Sequence, residues 1–199
     1  MFGFFLFVIL TIFLIVKLNE ILGMHVGFHI QKEELHDNFQ PTSPDAFISE
    51  VDRKMLKITE LYPKFNVADF LEKAQKAFEI VFDAYASGDT RTLRDLLGPR
   101  IFRAFSMAID DRKARHEVLE GTLVRFISVE ILDSDVVNDE IFITVKFITE
   151  QSNVLKNENG QVLEGSPDFV ENRTDIWVFS HQVSATDPRW YLHEIKSES

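Results

Sequence analysis

The stretch of residues 70–99 constrains the fold more than any other part of the chain. Its apolar side chains recur every three or four positions, which predicts a long helix with one broad buried stripe. Asn66 can cap the start of this helix, and Gly88 can end it. The stripe consists of Phe70, Ala74, Phe78, Val81, Phe82 and Tyr85. Because the stretch contains no catalytic motif, it favours a binding or adaptor domain.

Two shorter helices are predicted next. Asp89 can cap a helix over residues 90–97, and Gly98 with Pro99 can end that helix and open another. The last of these helices buries apolar side chains and ends in the charged run at residues 110–117. Its apolar side chains are Ile101, Phe102, Phe105 and Ile109.

The remainder of the chain predicts an antiparallel sheet. Residues 123–132 alternate between two faces as one unbroken strand, and residues 141–147 place apolar side chains on one face of the next. Asn138 and Asp139 fit the turn between them, and residues 157–165 indicate a loop or hairpin tip. Residues 174–179 and 190–195 add two strands. This order predicts an α+β fold, with helices packed on a curved antiparallel sheet of about four strands.

Composition excludes several function classes. The 199 residues carry a net charge of -11, and a general nucleic-acid role needs a basic face. The chain has no Cys, which excludes disulfides, thiolate nucleophiles and Cys-based zinc sites. His25 and His29 have a spacing that can hold a metal on a helix, but no third ligand accompanies them. We therefore predict no metal and no cofactor.

The start of the chain predicts a membrane anchor. Residues 1–16 carry no charged side chain, and thirteen of them are Phe, Leu, Ile or Val. Extension to residue 18, with Lys17 at the interface, gives a single-pass transmembrane helix over residues 1–18. The competing interpretation, a cleaved signal peptide, needs a basic start and a small-residue cleavage site. Lys17 and Lys32 follow the apolar run, so we expect the N-terminus outside and the domain in the cytoplasm.

A tether and an amphipathic helix follow the predicted anchor. The tether covers residues 19–43, and the helix covers residues 44–64, with Ser43 as N-cap and Pro44 at its first position. Two interpretations remain open for this helix: it packs on the domain, or it lies on the bilayer or docks a partner. The candidate membrane or partner contacts are Phe47, Val51, Arg53, Lys54 and Lys57.

Residues 58–195 contain an ordered set of short motifs. In the helices they are Phe70-Leu71, Ala74, Ala77-Phe78-Glu79, Ala86, Gly88-Asp89, Thr92-Leu93 and Leu96-Leu97. In the strands they are Val145-Lys146-Phe147, Gly160, Glu164-Gly165, Thr174-Asp175-Ile176-Trp177-Val178-Phe179 and Asp187-Pro188-Arg189-Trp190-Tyr191-Leu192. In order and spacing this set resembles the motifs of the Tim44-like domain family. Arg189 departs from the family's usual Asn, and His181 stands where the family tends to have Arg.

The resemblance implies a fold and a function. The fold is a cone similar to the nuclear-transport-factor-two-like superfamily, formed here by residues 65–199, with an apolar pocket. The function is that of an adaptor anchored in the inner membrane, on the matrix side if mitochondrial. It would tether a DnaK-type chaperone or translocation machinery and would bind membrane lipid or peptide through the pocket.

Nine aromatic residues are candidates to line that pocket, although most can equally serve as core. They are Phe78, Phe82, Tyr85, Phe102, Phe105, Phe147, Trp177, Phe179 and Trp190. The alternative function is a lipid or small-molecule carrier with the same fold. We predict that the chain is not an enzyme, because no nucleotide, zinc-protease or serine-hydrolase motif occurs in it. An enzyme would need a pocket Asp–His pair, for which Asp83, Asp175, His181 and His193 are the candidates.

Overall fold

The computed structural model describes residues 49–196, in which a layer of helices precedes and covers an antiparallel sheet. The helices are α1 (Glu50–Leu61), α2 (Val67–Ser87), α3 (Thr90–Leu96) and α4 (Pro99–Ala114). The strands are β1 (Glu117–Val137), β2 (Glu140–Asn157), β3 (Val162–Gly165), β4 (Glu171–Gln182) and β5 (Tyr191–Lys196). No helix within 49–196 has both the length and the apolarity to span a bilayer. The predicted anchor and tether lie outside the described residues.

The helix boundaries follow from local capping chemistry. The Asn66 side chain accepts a hydrogen bond from the Asp69 N–H at 2.9 Å, and α2 ends at Gly88, whose φ of 72° suits glycine. Both caps confirm the prediction. α1 begins at Glu50 because Ser49 is extended and its hydroxyl accepts from the Asp52 N–H at 3.1 Å. The predicted cap, Ser43, lies outside the described residues.

The sheet has five strands in place of the predicted four or so. Strands β1, β2, β4 and β5 lie side by side in that order, and all pairings are antiparallel. β3 pairs with the end of β2, since the predicted hairpin tip around Gly160 folds the chain back. Asn138 and Asp139 form the tight β1–β2 turn with φ values of 50° and 65°, as expected.

The prediction of an unbroken alternation in β1 was wrong. Three bulges interrupt its pairing with β2, at Val124, Ile127 and Leu132. Each bulge adds a residue and so reverses the face of the residues that follow, and it also bends the strand. The side chains of β1 that pack against the core are therefore Leu123, Phe126, Val129, Ile131 and Val136.

A cluster of aromatic rings joins the two layers. Phe78 of α2 lies 4.6 Å from Trp177 and 4.9 Å from Phe147, measured between ring centroids. Towards β5, Phe70 lies 5.9 Å from the Phe179 ring in an edge-on arrangement. We call the set of Phe70, Phe78, Phe126, Phe147, Trp177 and Phe179 the aromatic cluster. It is the centre of the core, which explains why the helix of residues 67–87 organises the rest.

A buried arginine fastens α4 to the end of α2. The Arg112 guanidinium donates to the carbonyl oxygens of Tyr85 at 2.8 Å and Ala86 at 3.0 Å. Its carbon also lies 5.2 Å from the Tyr85 ring centroid. These carbonyls belong to the last turn of α2, where donors from a following turn are lacking, and the Tyr85 oxygen also accepts from the Gly88 N–H at 3.3 Å. Arg112 thus caps α2 from a distance of 26 to 27 residues along the chain.

Candidate functional site

The outer side of α1 combines exposed apolar and cationic side chains. Leu56 is 55% exposed and Leu61 is 46% exposed, with Arg53 and Lys57 exposed on the same side of the helix. Within residues 49–196 neither cation forms an ion pair. We call Arg53, Leu56, Lys57 and Leu61 the α1 surface. Glu60 is exposed three residues after Lys57 and four after Leu56, so it adds one negative charge within this surface.

The inner side of α1 is fixed to the domain. Ile58 is fully buried and Met55 nearly so, and Val51 packs against the same core. Lys54 reaches β1, where its ammonium donates to Asp133 at 2.8 Å. That hydrogen bond is the main reason that the pKa of Lys54 is raised. With its inner side engaged in this way, α1 can offer only its outer side to another molecule.

The predicted contact residues therefore divide between the two sides of α1. Arg53 and Lys57 face solvent, whereas Val51 and Lys54 face the domain. Phe47 lies outside the described residues. Sequence reasoning missed Leu56, although its spacing of three residues from Arg53 and one from Lys57 places it on the same exposed side.

Four of the nine predicted pocket aromatics form part of the aromatic cluster. Phe147 is fully buried, and Phe78, Phe179 and Trp177 are 2%, 3% and 5% exposed. The Phe147 ring contacts the rings of Phe78, Trp177 and Phe179 at 4.9, 5.6 and 6.5 Å. These rings pack on each other and occupy the space between α2 and the sheet.

The other five predicted pocket residues lie in separate, half-buried places. Trp190 packs 4.9 Å from Phe70, near the end of α1. Phe82 lies against Gly121 of β1. Tyr85 contacts Phe105 at 4.9 Å, and Phe102 lies 5.2 Å beneath the Arg94 guanidinium. The structure thus distributes the predicted pocket set over several contacts along α2 and α4.

Two open clefts occur on the described surface. The first, of about 410 Å³, is lined by Gly88, Asp89, Thr90, Arg91 and Arg94. The second, of about 330 Å³, is lined by Lys76, Glu79, Ile80, Asp83, Gly121, Thr122 and Leu123. Both linings are mainly polar, and none of the nine predicted aromatics lines either cleft.

The four candidates for an Asp–His pair do not meet. Asp175 and His181 occupy one strand six residues apart, which separates them by about 20 Å. Burial raises the pKa of the Asp175 carboxyl. Asp83 and His193 are exposed, and His193 contacts the Phe142 ring at 5.1 Å.

His181 has a packing role. It is 2% exposed, and its Nδ1 donates to the carbonyl oxygen of Arg189 at 3.0 Å. Its ring lies between those of Tyr62 and Trp190, at 5.0 and 5.2 Å. These contacts join the end of α1 to the segment before β5. Among residues 49–196, no group of three or more potential ligands could hold a metal, and His25 and His29 lie outside that range.

Comparison with known proteins finds one matching family model and several curated relatives. The model of the Tim44-like domain family matches residues 51–197. The chain is 22% identical over 160 residues to the mitochondrial import inner membrane translocase subunit TIM44-1 of Arabidopsis thaliana, covering 76% of this chain and 34% of that protein. It is 21% identical over 154 residues to TIM44 of Mus musculus, with the same coverages of 76% and 34%.

Another relative is named as a ribosomal protein and not as a translocase subunit. It is the large ribosomal subunit protein mL45 of Caenorhabditis briggsae, which is 25% identical over 137 residues. That match covers 66% of this chain and 37% of the ribosomal protein. The chain therefore spans about a third of the length of the curated relatives it matches.

Proposed function

The chain belongs to the Tim44-like domain family, and from this membership we propose that it is a non-enzymatic adaptor at the inner membrane. The relatives are named as subunits of an inner-membrane translocase and of a ribosome, so the domain recurs as a part of larger assemblies. The proposed partners are a DnaK-type chaperone or components of a protein-translocation machine. The domain would face the cytoplasm, or the matrix in a mitochondrion.

The α1 surface is the observation that carries this proposal. It joins exposed Leu56 and Leu61 to Arg53 and Lys57, which form no ion pair within residues 49–196, while buried Met55 and Ile58 hold the helix to the domain. An exposed apolar and cationic helix side is typical of contacts with an anionic bilayer or with a groove in a partner. Each Lys or Arg near an anionic leaflet contributes about 1 kcal/mol of attraction.

Sequence position supports the same assignment. α1 follows residues 1–48, which begin with the uncharged apolar run expected to anchor the chain. A short tether would keep α1 close to the bilayer, where its cations and leucines can contact lipid headgroups or a membrane-bound partner. The proposal includes a single-pass anchor with its N-terminus outside.

The aromatic cluster disfavours binding of a lipid or peptide inside the domain. Its rings contact one another, so a lipid or peptide that entered between α2 and the sheet would have to separate Phe78 from Trp177 and Phe147. Such separation would expose about 150–250 Å² of apolar surface for each aromatic side chain. We therefore place partner contact on the α1 surface. A carrier function would instead require lipid retained by the purified chain in native mass spectrometry.

The test compares two variants of the full chain in intact membranes. The first, R53E/L56A/K57E, removes the α1 surface. The matched control, K73E/K76E/L163A, also reverses two exposed lysines and truncates one leucine, which is 50% exposed in β3. After crosslinking, we expect the first variant to lose at least about tenfold in yield with a DnaK-type chaperone or a translocase subunit, or about 1.4 kcal/mol.

The control is expected to stay within about twofold of the wild type. Equal losses in both variants would contradict the proposed site. A wild-type chain that captures neither chaperone nor translocase subunit would contradict the proposed function.

A further inference from the structure

A second basic surface lies on α3 and α4, away from the α1 surface. Arg91, Arg94, Arg100 and Arg103 are all exposed, and Met107 on the same side of α4 is 50% exposed. We call these five residues the arginine surface. α1 packs on β1, whereas α3 contacts α2, α4 and β5, so the two surfaces belong to different parts of the helical layer.

The four arginines of this surface form no ion pair with any carboxylate of residues 49–196, although the chain has an excess of acidic residues. Other lysines and arginines of the domain do form ion pairs with carboxylates. Examples are Lys73 with Asp69, Lys76 with Glu79, Arg125 with Glu150 and Lys156 with Glu120. Within the described range, none of the four guanidinium groups of this surface forms an ion pair with a carboxylate at 4.0 Å or less. Their guanidinium groups are therefore available to an external anion.

Local packing holds part of this surface in place. Arg91 and Arg94 line the open cleft of about 410 Å³. The Arg94 guanidinium lies 5.2 Å from the centroid of the Phe102 ring, which connects the α3 arginines to α4. Along α4, Arg100 and Met107 are about 10 Å apart, because each residue adds about 1.5 Å of rise. The surface thus has the size of a short peptide segment.

Four acidic residues lie near the arginine surface, at positions 89, 95, 110 and 111. The Asp89 carboxylate accepts hydrogen bonds from the Thr92 hydroxyl at 2.7 Å and from the backbone N–H groups of Arg91 and Thr92. Asp95 is exposed and follows Arg94 directly, and it makes the smallest contribution to the raised pKa of Arg189, whose main cause is the hydrogen bond to Asp187. Asp110 and Asp111 are exposed three and four residues after Met107, so they bound the surface at the far end of α4.

We propose that the arginine surface docks an acidic segment of a partner protein, with Met107 receiving an apolar side chain of that segment. Guanidinium groups bind carboxylates through two parallel hydrogen bonds, and Arg and Met are both enriched at protein interfaces. The flexible thioether of Met107 adapts to different apolar side chains.

Charge elsewhere in the domain selects a protein segment over an extended polyanion. Residues 117–196 carry fifteen Asp and Glu against six Lys and Arg. A nucleic acid or a wide anionic bilayer that reached the arginines would also meet this acidic sheet, whereas a short acidic segment would meet only α3 and α4. This contact goes beyond the proposed function, since it needs neither a chaperone nor the α1 surface.

The experiment measures binding of a fluorescein-labelled peptide, EELEELEELEEL, to the full chain in non-ionic detergent by fluorescence anisotropy. The variant R91Q/R94Q/R100Q/R103Q removes four charges, and the control K64Q/K73Q/K76Q/K196Q removes four charges from exposed positions outside both proposed surfaces. We expect the arginine variant to bind about thirtyfold more weakly than the wild type, from about 0.5 kcal/mol for each exposed pair. The control should remain within about threefold of the wild type, because none of its lysines belongs to the arginine surface.

Three further readouts decide between occupants. M107S is expected to weaken peptide binding about threefold at constant charge, and a peptide with Gln in place of Glu should not bind measurably. Equal weakening in the two quadruple variants would overturn the proposal, since general charge attraction would then suffice. Binding of vesicles of 30% phosphatidylglycerol and 70% phosphatidylcholine through the same arginines, without peptide binding, would also overturn it.

Discussion

The helical layer and the sheet share one core but differ in charge on their outer sides. Residues 49–116 carry thirteen Lys and Arg against eleven Asp and Glu, whereas residues 117–196 carry six against fifteen. The aromatic cluster between them is apolar on both sides, so the difference resides on the exposed surfaces. An anionic partner is therefore attracted to the helices and repelled by the sheet, which orients the domain before any contact forms.

Phe78→Ala should have the largest effect, because it removes the side chain that joins the two layers. Phe78 is 2% exposed and contacts Trp177, Phe147 and Phe126. We expect a loss of about 3–5 kcal/mol in the free energy of unfolding, measured with denaturant. Phe169→Ala, at a position that is 58% exposed, serves as control and should cost no more than about 0.5 kcal/mol. A cost below about 1 kcal/mol for Phe78→Ala would contradict the shared core.

Arg112→Met tests how the helical layer is held together independently of the sheet. The Met side chain keeps most of the apolar stem but removes the donor to the Ala86 carbonyl oxygen and leaves the Tyr85 oxygen with only the Gly88 N–H at 3.3 Å. We expect a loss of about 1.5–3 kcal/mol in unfolding free energy, as for hydrogen bonds to charged groups. Arg103→Met, at an exposed position of the same helix, should change stability by less than about 0.5 kcal/mol. Similar losses in both variants would show that the capping contact contributes little.

Gly121→Ala probes the closest approach between the layers. A Cβ at this position would lie 2.9 Å from two atoms of the Phe82 ring, so the helix or the strand would have to shift. We expect a net loss of about 1–2 kcal/mol in the free energy of unfolding. Ala lowers the conformational entropy of the unfolded chain, and this effect offsets part of the overpacking in the folded state. In a Phe82→Leu background the same substitution should cost less than half as much. An unchanged cost in that background would place the strain elsewhere.

Local chemistry was sufficient to predict the helical layer. Asn66 and Gly88 define α2, and Asp89 and Pro99 place the starts of the two helices that follow. The faces of the strands were harder to predict than the helices. The bulges at Val124, Ile127 and Leu132 change which side chains of β1 face the core, and the alternation of apolar residues in the sequence does not reveal them. The four residues of β3 were predicted as part of the hairpin tip over residues 157–165. A strand of four residues next to Asn and Gly is too short to show a clear alternation of apolar and polar side chains.

The candidate surfaces depend on contacts that are remote in sequence. The ion pair of Lys54 with Asp133 joins residues 79 positions apart in the sequence. It turns Lys54 towards the sheet, whereas Arg53 and Lys57 of the same helix remain exposed. Arg112 stands in a charged run that indicates solvent exposure, yet it is 7% exposed. The sequence predicted Arg53 and Lys57 as contact residues, which remains a prediction. The lack of ion pairs at the α3 and α4 arginines within residues 49–196 can be recognised only when the carboxylates of that range have been placed.

Asp175→Asn should have a smaller effect that depends on pH. Burial raises the pKa of the Asp175 carboxyl above its unfolded value of about 3.9, with Arg173 opposing the shift. The folded state then holds a proton that the unfolded state has released, so stability falls as pH rises between the two pKa values. Asn does not titrate and avoids this cost. We expect thermal unfolding of the variant at higher temperature than wild type at pH 7.5, and at the same temperature near pH 4. A difference that is constant with pH would contradict the assignment.

Site-specific photocrosslinking in intact membranes tests most directly whether partners contact the helical layer and leave the sheet free. Four positions of similar exposure carry the probe: Leu56 and Met107 on the helices, at 55% and 50%, and Val124 and Leu163 on the sheet, both at 50%. The account predicts protein adducts from Leu56 and Met107, and yields at least about tenfold lower from Val124 and Leu163. Adducts that form mainly from Val124 and Leu163 would contradict it.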